Sequence, residues 1–207
     1  MFENREQVGR LFGEVLLRYK AKKNTVVLGI PRGGVIVAAE IARKLQLPLD
    51  VLVIKKLGYP GNEELALGAV SSSAIYLEET ATCFPQDYLQ QQIAAKQREA
   101  VVREKFLRGK RKPLALKGRT IMLVDDGIAT GATIFLALRL LRQQMVRKVI
   151  VVVPVATPST IERIEKMGVK VVCLEKPQTF FAIGEFYQDF REVEEEEVRR
   201  VLKPHQK

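Results

Sequence analysis

The stretch IMLVDDGIATGAT, residues 121–133, is the most informative part of this sequence. Its first four residues form a continuous apolar run, which is typical of a strand buried on both faces of a parallel sheet. Two adjacent carboxylates, Asp125 and Asp126, follow this run, and a loop with two threonines and two glycines comes next. A helical pattern then continues to about residue 145. A strand, a polar loop and a helix in this order predict one unit of an α/β fold.

The loop has the chemistry of an anion site. Backbone N–H groups at a helix start, with the hydroxyls of Thr130 and Thr133, suit a dianionic phosphate, and Gly131 lets the backbone approach it closely. Asp125 and Asp126 would repel a phosphate, so they need hydroxyl donors or a magnesium-bearing ligand. A phosphate beside a diol describes a sugar phosphate. The alternative is a plain helix N-cap preceded by two acids. The Walker A and GxGxxG patterns are both absent from the chain.

The rest of the chain alternates in the same way. Apolar runs predict strands at residues 25–30, 49–54, 120–124, 148–153 and 169–174, with short strands at 67–70 and 75–77 after a loop at 58–62. Helices are predicted at residues 4–19, 35–45, about 87–110, 133–145 and 158–166, with a charged helix last. We therefore expect an α/β fold with an open, mostly parallel twisted sheet of about five strands and helices on both faces. Such sheets bind ligands at the carboxyl ends of their strands.

Length and composition fit a single domain that spans residues 1–207. Apolar residues make up 47% and charged residues 28% of the chain, which are ordinary values for a soluble globular protein. The two cysteines have no metal or redox spacing, and the only histidine is His205, which disfavours His-based triads and His-rich zinc sites. The polar start and the lack of a long apolar run predict no secretory leader and no membrane segment. We expect a cytoplasmic protein.

Positive charge is concentrated in one segment. The whole chain has a formal charge of +10, and residues 96–119 contain ten Lys or Arg against two Glu. A basic segment of this kind suits a phosphate-rich partner such as RNA or DNA. It is equally typical of a solvated, charged helix face.

Two other strand ends carry residues of interest. The sequence IPRGG at 30–34 follows the first predicted strand, where Arg32 supplies a cation and two glycines leave the backbone open. Lys55 and Lys56 follow the second predicted strand and would lie at the same edge of the sheet. A simple glycine turn and solubilising charge at a strand end are the respective alternatives.

The 121–133 stretch resembles the phosphoribosyl-diphosphate (PRPP) binding motif of the type I phosphoribosyltransferases. That motif is an apolar run, two acids, two small or apolar residues and a Thr/Gly loop, and all of it is present here in order. The resemblance implies that Asp125 and Asp126 hold the ribose hydroxyls and take part in binding Mg²⁺, directly or through water. It places the 5′-phosphate in the loop formed by Ala129, Thr130, Gly131, Ala132 and Thr133.

The family also binds pyrophosphate in the loop after its first core strand, often with a non-proline cis peptide bond. The resemblance therefore implies that Arg32 and Gly33 contact pyrophosphate, and we expect a cis bond near Arg32. Lys55 and Lys56 would complete a pyrophosphate clamp. Residues 57–70 match the position of the family's mobile catalytic loop, whose two glutamates, Glu63 and Glu64, receive no role.

Acceptor specificity in this family lies in a variable hood, which the resemblance assigns to residues 1–20, 78–117 and 177–207. The last of these segments contains four aromatic residues: Phe180, Phe181, Phe186 and Tyr187. They either stack on a flat base or pack a small subdomain. Ala129 stands where relatives that use 6-oxopurines commonly have an aspartate, which disfavours hypoxanthine and guanine as acceptors.

The chain looks most like a group of uncharacterised bacterial phosphoribosyltransferases with IPRGG, KKxGxPGNxExAxGAV and VDDGxATGAT blocks, here at 30–34, 55–70 and 124–133. The resemblance implies an enzyme that transfers the 5-phosphoribosyl group of PRPP to a nitrogenous acceptor such as a nucleobase, with magnesium and release of pyrophosphate. It also implies a homodimer. No general base is assigned. The alternative is a non-catalytic regulator that senses PRPP or a nucleotide and binds RNA or DNA through residues 96–119.

Overall fold

The computed structural model describes residues 1–59 and 62–203, and only the backbone of residues 62–66. Its strands are β1 (Thr25–Gly29), β2 (Leu49–Val51), β3 (Lys55–Tyr59), β4 (Asn62–Val70), β5 (Ile75–Leu77), β6 (Thr120–Val124), β7 (Lys148–Val155) and β8 (Lys170–Glu175). Its helices are α1 (Arg5–Val15), α2 (Gly33–Leu45), α3 (Gln86–Arg108), α4 (Ala132–Gln143), α5 (Pro158–Lys166) and α6 (Glu195–Leu202). The tip of the predicted 58–62 loop at residues 60–61, the side chains of Glu63 and Glu64, and His205 lie outside the described residues.

The central sheet has five parallel strands in the order β2-β1-β6-β7-β8. This confirms the predicted sheet, and each of the five apolar runs forms one of its strands. Alternate residues of a strand face opposite sides, and both sides are buried. Val27 and Met122 pack into one core with α1, α2 and α6, whereas Val26 and Leu123 pack into another with α4 and α5. The runs are continuously apolar because neither face of the sheet meets water.

A second sheet lies between β2 and α3 in the chain. The strands β3, β4 and β5 form an antiparallel sheet in that order. The predicted strand at 75–77 is confirmed as β5. The predicted strand at 67–70 was too short, and the predicted loop at 58–62 was wrong at residues 58, 59 and 62, which lie in β3 and β4. Leu57, Leu67 and Val70 are buried together against Ala81, so this sheet has a small apolar core of its own. Glycines and charged residues between these positions hide the strand pattern in the sequence.

Helix α3 corresponds to the helix predicted at about residues 87–110, and buried ion pairs anchor its C-terminal end to the domain. Arg108, which is 7% exposed, donates to Asp50 Oδ1 of β2 at 2.7 Å and also pairs with Glu104. Arg111 donates to Asp50 at 3.0 Å and to the Leu49 carbonyl at 2.6 Å. Two guanidinium groups therefore balance two buried carboxylates, those of Asp50 and Glu104. This ionic cluster adds to the buried apolar contacts that Ala100 and Leu107 make.

The two ends of the described chain meet beside the central sheet. Phe2 N donates to the Phe186 carbonyl at 2.7 Å, and Gln188 N donates to the Phe2 carbonyl at 2.8 Å. The Phe2 ring packs on Tyr187, and α1 packs along α2 with Phe12 fully buried. Among the helices in the described residues, none is both long enough and apolar enough to cross a membrane.

Candidate functional site

Two loops meet at the carboxyl edge of the central sheet because β1 and β6 are neighbouring parallel strands. Gly29 and Val124, their last residues, are paired. Ile30 N extends this pairing by donating to the Val124 carbonyl at 2.9 Å. The loop after β1 and the loop after β6 therefore begin side by side. The topology brings the 30–34 and 125–133 motifs together.

A cleft of about 490 Å³ opens between these loops and the C-terminal segment. It is lined by Arg32, Gly33, Asp125, Asp126 and Thr133 on the sheet side, and by Arg5 and residues 190–193 on the other side. A second cavity of about 200 Å³ runs along the loop between β6 and α4, where residues 125–134 and Ile183 line it. Asp125, Asp126 and Thr133 line both cavities, so the two spaces adjoin at the acid pair and at the end of the loop.

The loop between β6 and α4 has the backbone of an anion site. Gly131 has φ 83°, a conformation that favours glycine, and α4 begins at the next residue. The four other residues of the predicted phosphate loop are exposed and line the 200 Å³ cavity: Ala129, Thr130, Ala132 and Thr133. First-turn N–H groups of a helix and two hydroxyls thus border one small cavity.

Asp125 and Asp126 differ in their surroundings. Asp126 N donates to Asp125 Oδ1 at 2.9 Å, while Asp126 Oδ2 accepts from Arg5 Nε at 2.7 Å. Burial and the neighbouring charge of Asp126 raise the pKa of Asp125 well above its ordinary value. Tyr187 donates to the Asp126 carbonyl at 2.8 Å, and burial raises the pKa of this phenol. Hydrogen bonds to both the backbone and the side chains therefore fix the position of the acid pair.

The loop after β1 packs tightly on the acid pair. A side chain on Gly33 would drive its Cβ into Asp126 Oδ2, far inside contact distance, so only glycine fits there. The Pro31–Arg32 peptide bond is cis, as expected from the family resemblance. The Arg32 guanidinium pairs with the carboxylate of Glu192 from the C-terminal segment. Arg32 therefore contacts an anionic group of the chain itself.

Lys55 and Lys56 do not line this cleft. They are the first two residues of β3, and Lys55 Nζ lies 3.1 Å from Glu99 Oε2 of α3. Lys55 lines a different groove, between α3 and α6. The contact of these lysines with pyrophosphate stays a prediction.

The residues that form the cleft match a known protein family. Residues 3–191 match the model of the phosphoribosyl transferase domain, which takes in β1, β6 and every loop residue of the cleft except Glu192 and Val193. The chain belongs to the phosphoribosyl transferase domain family. Its matched residues include the acid pair, the β6–α4 loop and Arg32.

Relatives of this phosphoribosyl transferase domain include proteins from two bacteria. The structure of TT1426 from Thermus thermophilus has 43% sequence identity and a TM-score of 0.85, with 97% of each chain covered. The proteins provisionally named phosphoribosyl transferases MT0597 and Rv0571c, from two strains of Mycobacterium tuberculosis, are 38% identical over 209 aligned residues. That alignment covers 96% of this chain and 45% of the mycobacterial proteins, so the chain spans about half their length.

Sequence reasoning missed the residues that reach the site from the chain ends. Arg5 contacts Asp126 across 121 positions of sequence, and Glu192 contacts Arg32 across 160 positions. Neither residue lies in a recognisable motif. In this phosphoribosyl transferase domain, Tyr187 is 5% exposed, and its ring is buried between Phe2 and Phe190. Phe180 and Phe186 pack on each other, and Phe181 is fully exposed.

Proposed function

We propose that this protein transfers the 5-phosphoribosyl group of PRPP to a nitrogenous acceptor and releases pyrophosphate. The observation that carries the proposal is the pair of adjoining cavities, which together contain the acid pair, the glycine-bearing phosphate loop and the Arg32–Gly33 loop. These three elements match the three parts of PRPP, which are a diol, a phosphate and a pyrophosphate. Family membership supports the same assignment.

Each part of PRPP has a group that suits it. The N–H groups and hydroxyls of residues 129–133 would bind the 5′-phosphate, as expected for an anion at a helix start. The carboxylates of Asp125 and Asp126 would accept hydrogen bonds from the ribose hydroxyls. The Arg32 guanidinium would contact the pyrophosphate after Glu192 leaves it. These contacts fix the ribose carbon C1 in the cleft, which supplies orientation.

The reaction breaks the bond between C1 and the pyrophosphate oxygen and forms a bond between C1 and the acceptor nitrogen. The bonding electrons leave with pyrophosphate, and the acceptor loses its N–H proton to solvent or to a base that is not assigned. Negative charge grows on pyrophosphate as its bond breaks, so the Arg32 cation stabilises the leaving group. The protein needs no covalent nucleophile for this substitution. Residues 190–193 line the cleft opposite the acid pair and would shield it from water.

Magnesium fits this site as an ion that arrives with PRPP. Among the described residues, no cluster of three His, Cys, Asp or Glu could hold a metal alone. Mg²⁺ commonly binds through one or two carboxylates, water and substrate phosphates. Asp125 and Asp126 provide such carboxylates at the edge of the cleft. Bound there, Mg²⁺ would neutralise charge on the leaving pyrophosphate.

The proposal is tested by calorimetric titration of PRPP with Mg²⁺. We expect a dissociation constant in the micromolar range, and binding at least about tenfold weaker for the double substitution Asp125→Asn/Asp126→Asn, because charge-assisted hydrogen bonds are lost. Asp87→Asn, at an exposed position of α3, is the control and should bind like the wild type. A screen of nucleobases for pyrophosphate release then identifies the acceptor. A wild type that binds no PRPP, or a double variant that binds it equally well, contradicts the proposal.

A further inference from the structure

Arg5 is a buried cation beside the acid pair. It is 8% exposed, and its Nε donates to Asp126 Oδ2 at 2.7 Å. Its Nη1 donates to the Arg191 carbonyl at 2.9 Å, and its guanidinium lies 3.9 Å from the centre of the Phe190 ring. One side chain therefore joins the acid pair to the C-terminal segment that lines the cleft.

The start of α1 places Arg5 at this position. Asn4 caps the helix by accepting a hydrogen bond from Gln7 N at 2.8 Å, which makes Arg5 the first helical residue. A cation in the first turn of a helix is unfavourable because the helix dipole is positive there. The ion pair with Asp126 offsets this cost. Helix stability therefore does not explain an arginine here, whereas the contact with the site does.

We propose that Arg5 is a positioning residue, which orients Asp126 so that this carboxylate accepts the ribose hydroxyls of PRPP. The proposal rests on the proposed function of the cleft. Arg5 occupies Oδ2 of Asp126, so the second carboxylate oxygen is the one to which the sugar binds. Arg5 acts only through Asp126 and has no part in binding pyrophosphate.

This role makes a prediction that depends on the ligand. Arg5→Met keeps the length of the stem and removes the guanidinium. We expect it to weaken the binding of ribose 5-phosphate, and of PRPP with Mg²⁺, by about tenfold, the value of one hydrogen bond to a charged group. Binding of pyrophosphate without Mg²⁺, which uses the Arg32–Gly33 loop and not the acid pair, should change less than about twofold. Arg10→Met, at an exposed position of the same helix, should leave all three dissociation constants unchanged.

A double-mutant cycle separates positioning from general damage to the fold. In the Asp126→Asn background, Arg5→Met should weaken ribose 5-phosphate binding by less than about twofold, because its target has already been neutralised. Circular dichroism checks the folding of each variant, and Arg5→Lys replaces Arg5→Met in the cycle if the latter is unfolded. A lysine keeps the charge but has one donor nitrogen in place of the fixed Nε and Nη1 fork of arginine, so we expect an intermediate loss.

The outcomes distinguish this inference from the proposed function. A wild type that binds no PRPP overturns both. A wild type that binds PRPP while Arg5→Met binds ribose 5-phosphate equally well or more tightly overturns the positioning role alone. An equal loss for pyrophosphate and ribose 5-phosphate, or an equal effect in the Asp126→Asn background, also overturns it. Selective loss for the sugar phosphate, absent in that background, supports it.

Discussion

Asp50, in β2, and Asp125, directly after β6, are two aspartates in opposite electrostatic surroundings. Asp50 is 2% exposed and accepts hydrogen bonds from Arg108 and Arg111. Asp125 lies beside another carboxylate, and burial together with this like charge raises its pKa. The charge of Asp50 is therefore compensated within the fold, whereas the charge of Asp125 remains a cost that a ligand can relieve.

The two aspartates should respond oppositely to the loss of charge. Asp125→Asn should raise the free energy of unfolding at neutral pH by about 1 kcal/mol, as substitutions at strained functional sites often do. Asp50→Asn should lower it by about 3 kcal/mol because buried guanidinium groups lose their partner. A raised carboxyl pKa in the folded state lowers stability as pH rises above the ordinary carboxyl range, so the Asp125→Asn gain should be larger at about pH 8 than at about pH 4.5. Urea denaturation measures both, and destabilisation by Asp125→Asn would refute the assignment.

Glu192 should compete with pyrophosphate for Arg32. Its carboxylate, on an exposed side chain, pairs with the Arg32 guanidinium at the edge of the cleft. An exposed ion pair is worth up to about 1 kcal/mol, so Glu192→Gln should tighten the binding of pyrophosphate with Mg²⁺ by about two- to fivefold. Glu194→Gln makes the same charge change at an exposed position two residues away and should leave the affinity unchanged. Weaker binding by Glu192→Gln would mean that this carboxylate supports the ligand instead.

At the scale of elements, the sequence predicts the parts of the fold whose pattern is local. All five strands of the central sheet follow from apolar runs, since a strand buried on both faces leaves an unbroken signature. β6 and its loop are predicted together because one motif contains both. The β3–β4 hairpin was missed over most of its length, since its apolar core is only Leu57, Leu67 and Val70. Short strands with few buried residues do not produce a readable period.

In the site, too, the residues that lie in local motifs were predicted, and those that depend on tertiary packing were not. The sequence predicts that the motifs at 30–34 and 125–133 lie close together, because each follows a strand of the parallel sheet and parallel strands end at the same edge. Arg5 and Glu192 reach this edge from opposite ends of the chain. Their contacts depend on how the terminal segments pack on the sheet, and the residue spacing within either segment does not predict that packing. Lys55 was expected at the edge because β2 was predicted to continue to residue 54, whereas it ends at Val51.

The alternative function, a regulator that binds nucleic acid, depends on the basic segment at residues 96–119. Lys96, Arg103, Arg108 and Arg111 already pair with carboxylates of the chain, and the exposed lysines are Lys105, Lys110, Lys112 and Lys117. We expect single-stranded RNA to bind no more tightly than about 10⁻⁵ M at physiological salt, as in non-specific association. Changing these four lysines to Gln should leave the fold intact. Tight binding that falls steeply with salt and is lost in this variant would favour the regulator.

At the scale of the whole molecule, the C-terminal segment shares its core with the sheet. Tyr187, Val193, Val198 and Leu202 are buried in the same apolar cluster as Phe12 of α1, Val35 of α2 and Val124 of β6. The N-terminal residues are hydrogen-bonded to residues 186–189. The lining of the cleft therefore comes from both termini and from the sheet, and its shape depends on all three. We predict that these parts unfold together, as expected of one domain spanning residues 1–207.

Phe2 offers the sharpest test of this cooperation, because it is 8% exposed and packs against Tyr187 from the far end of the chain. Phe2→Ala should lower the free energy of unfolding by about 3 kcal/mol. Phe181→Ala removes the same ring from a fully exposed position and should change it by less than about 0.5 kcal/mol. Native-state hydrogen exchange should show that Phe2→Ala lowers the opening free energy of α2 and α6 equally. Amides of α6 that exchange by a separate, low-energy opening would mean that the C-terminal segment folds as an independent unit and that the cleft can open without the sheet.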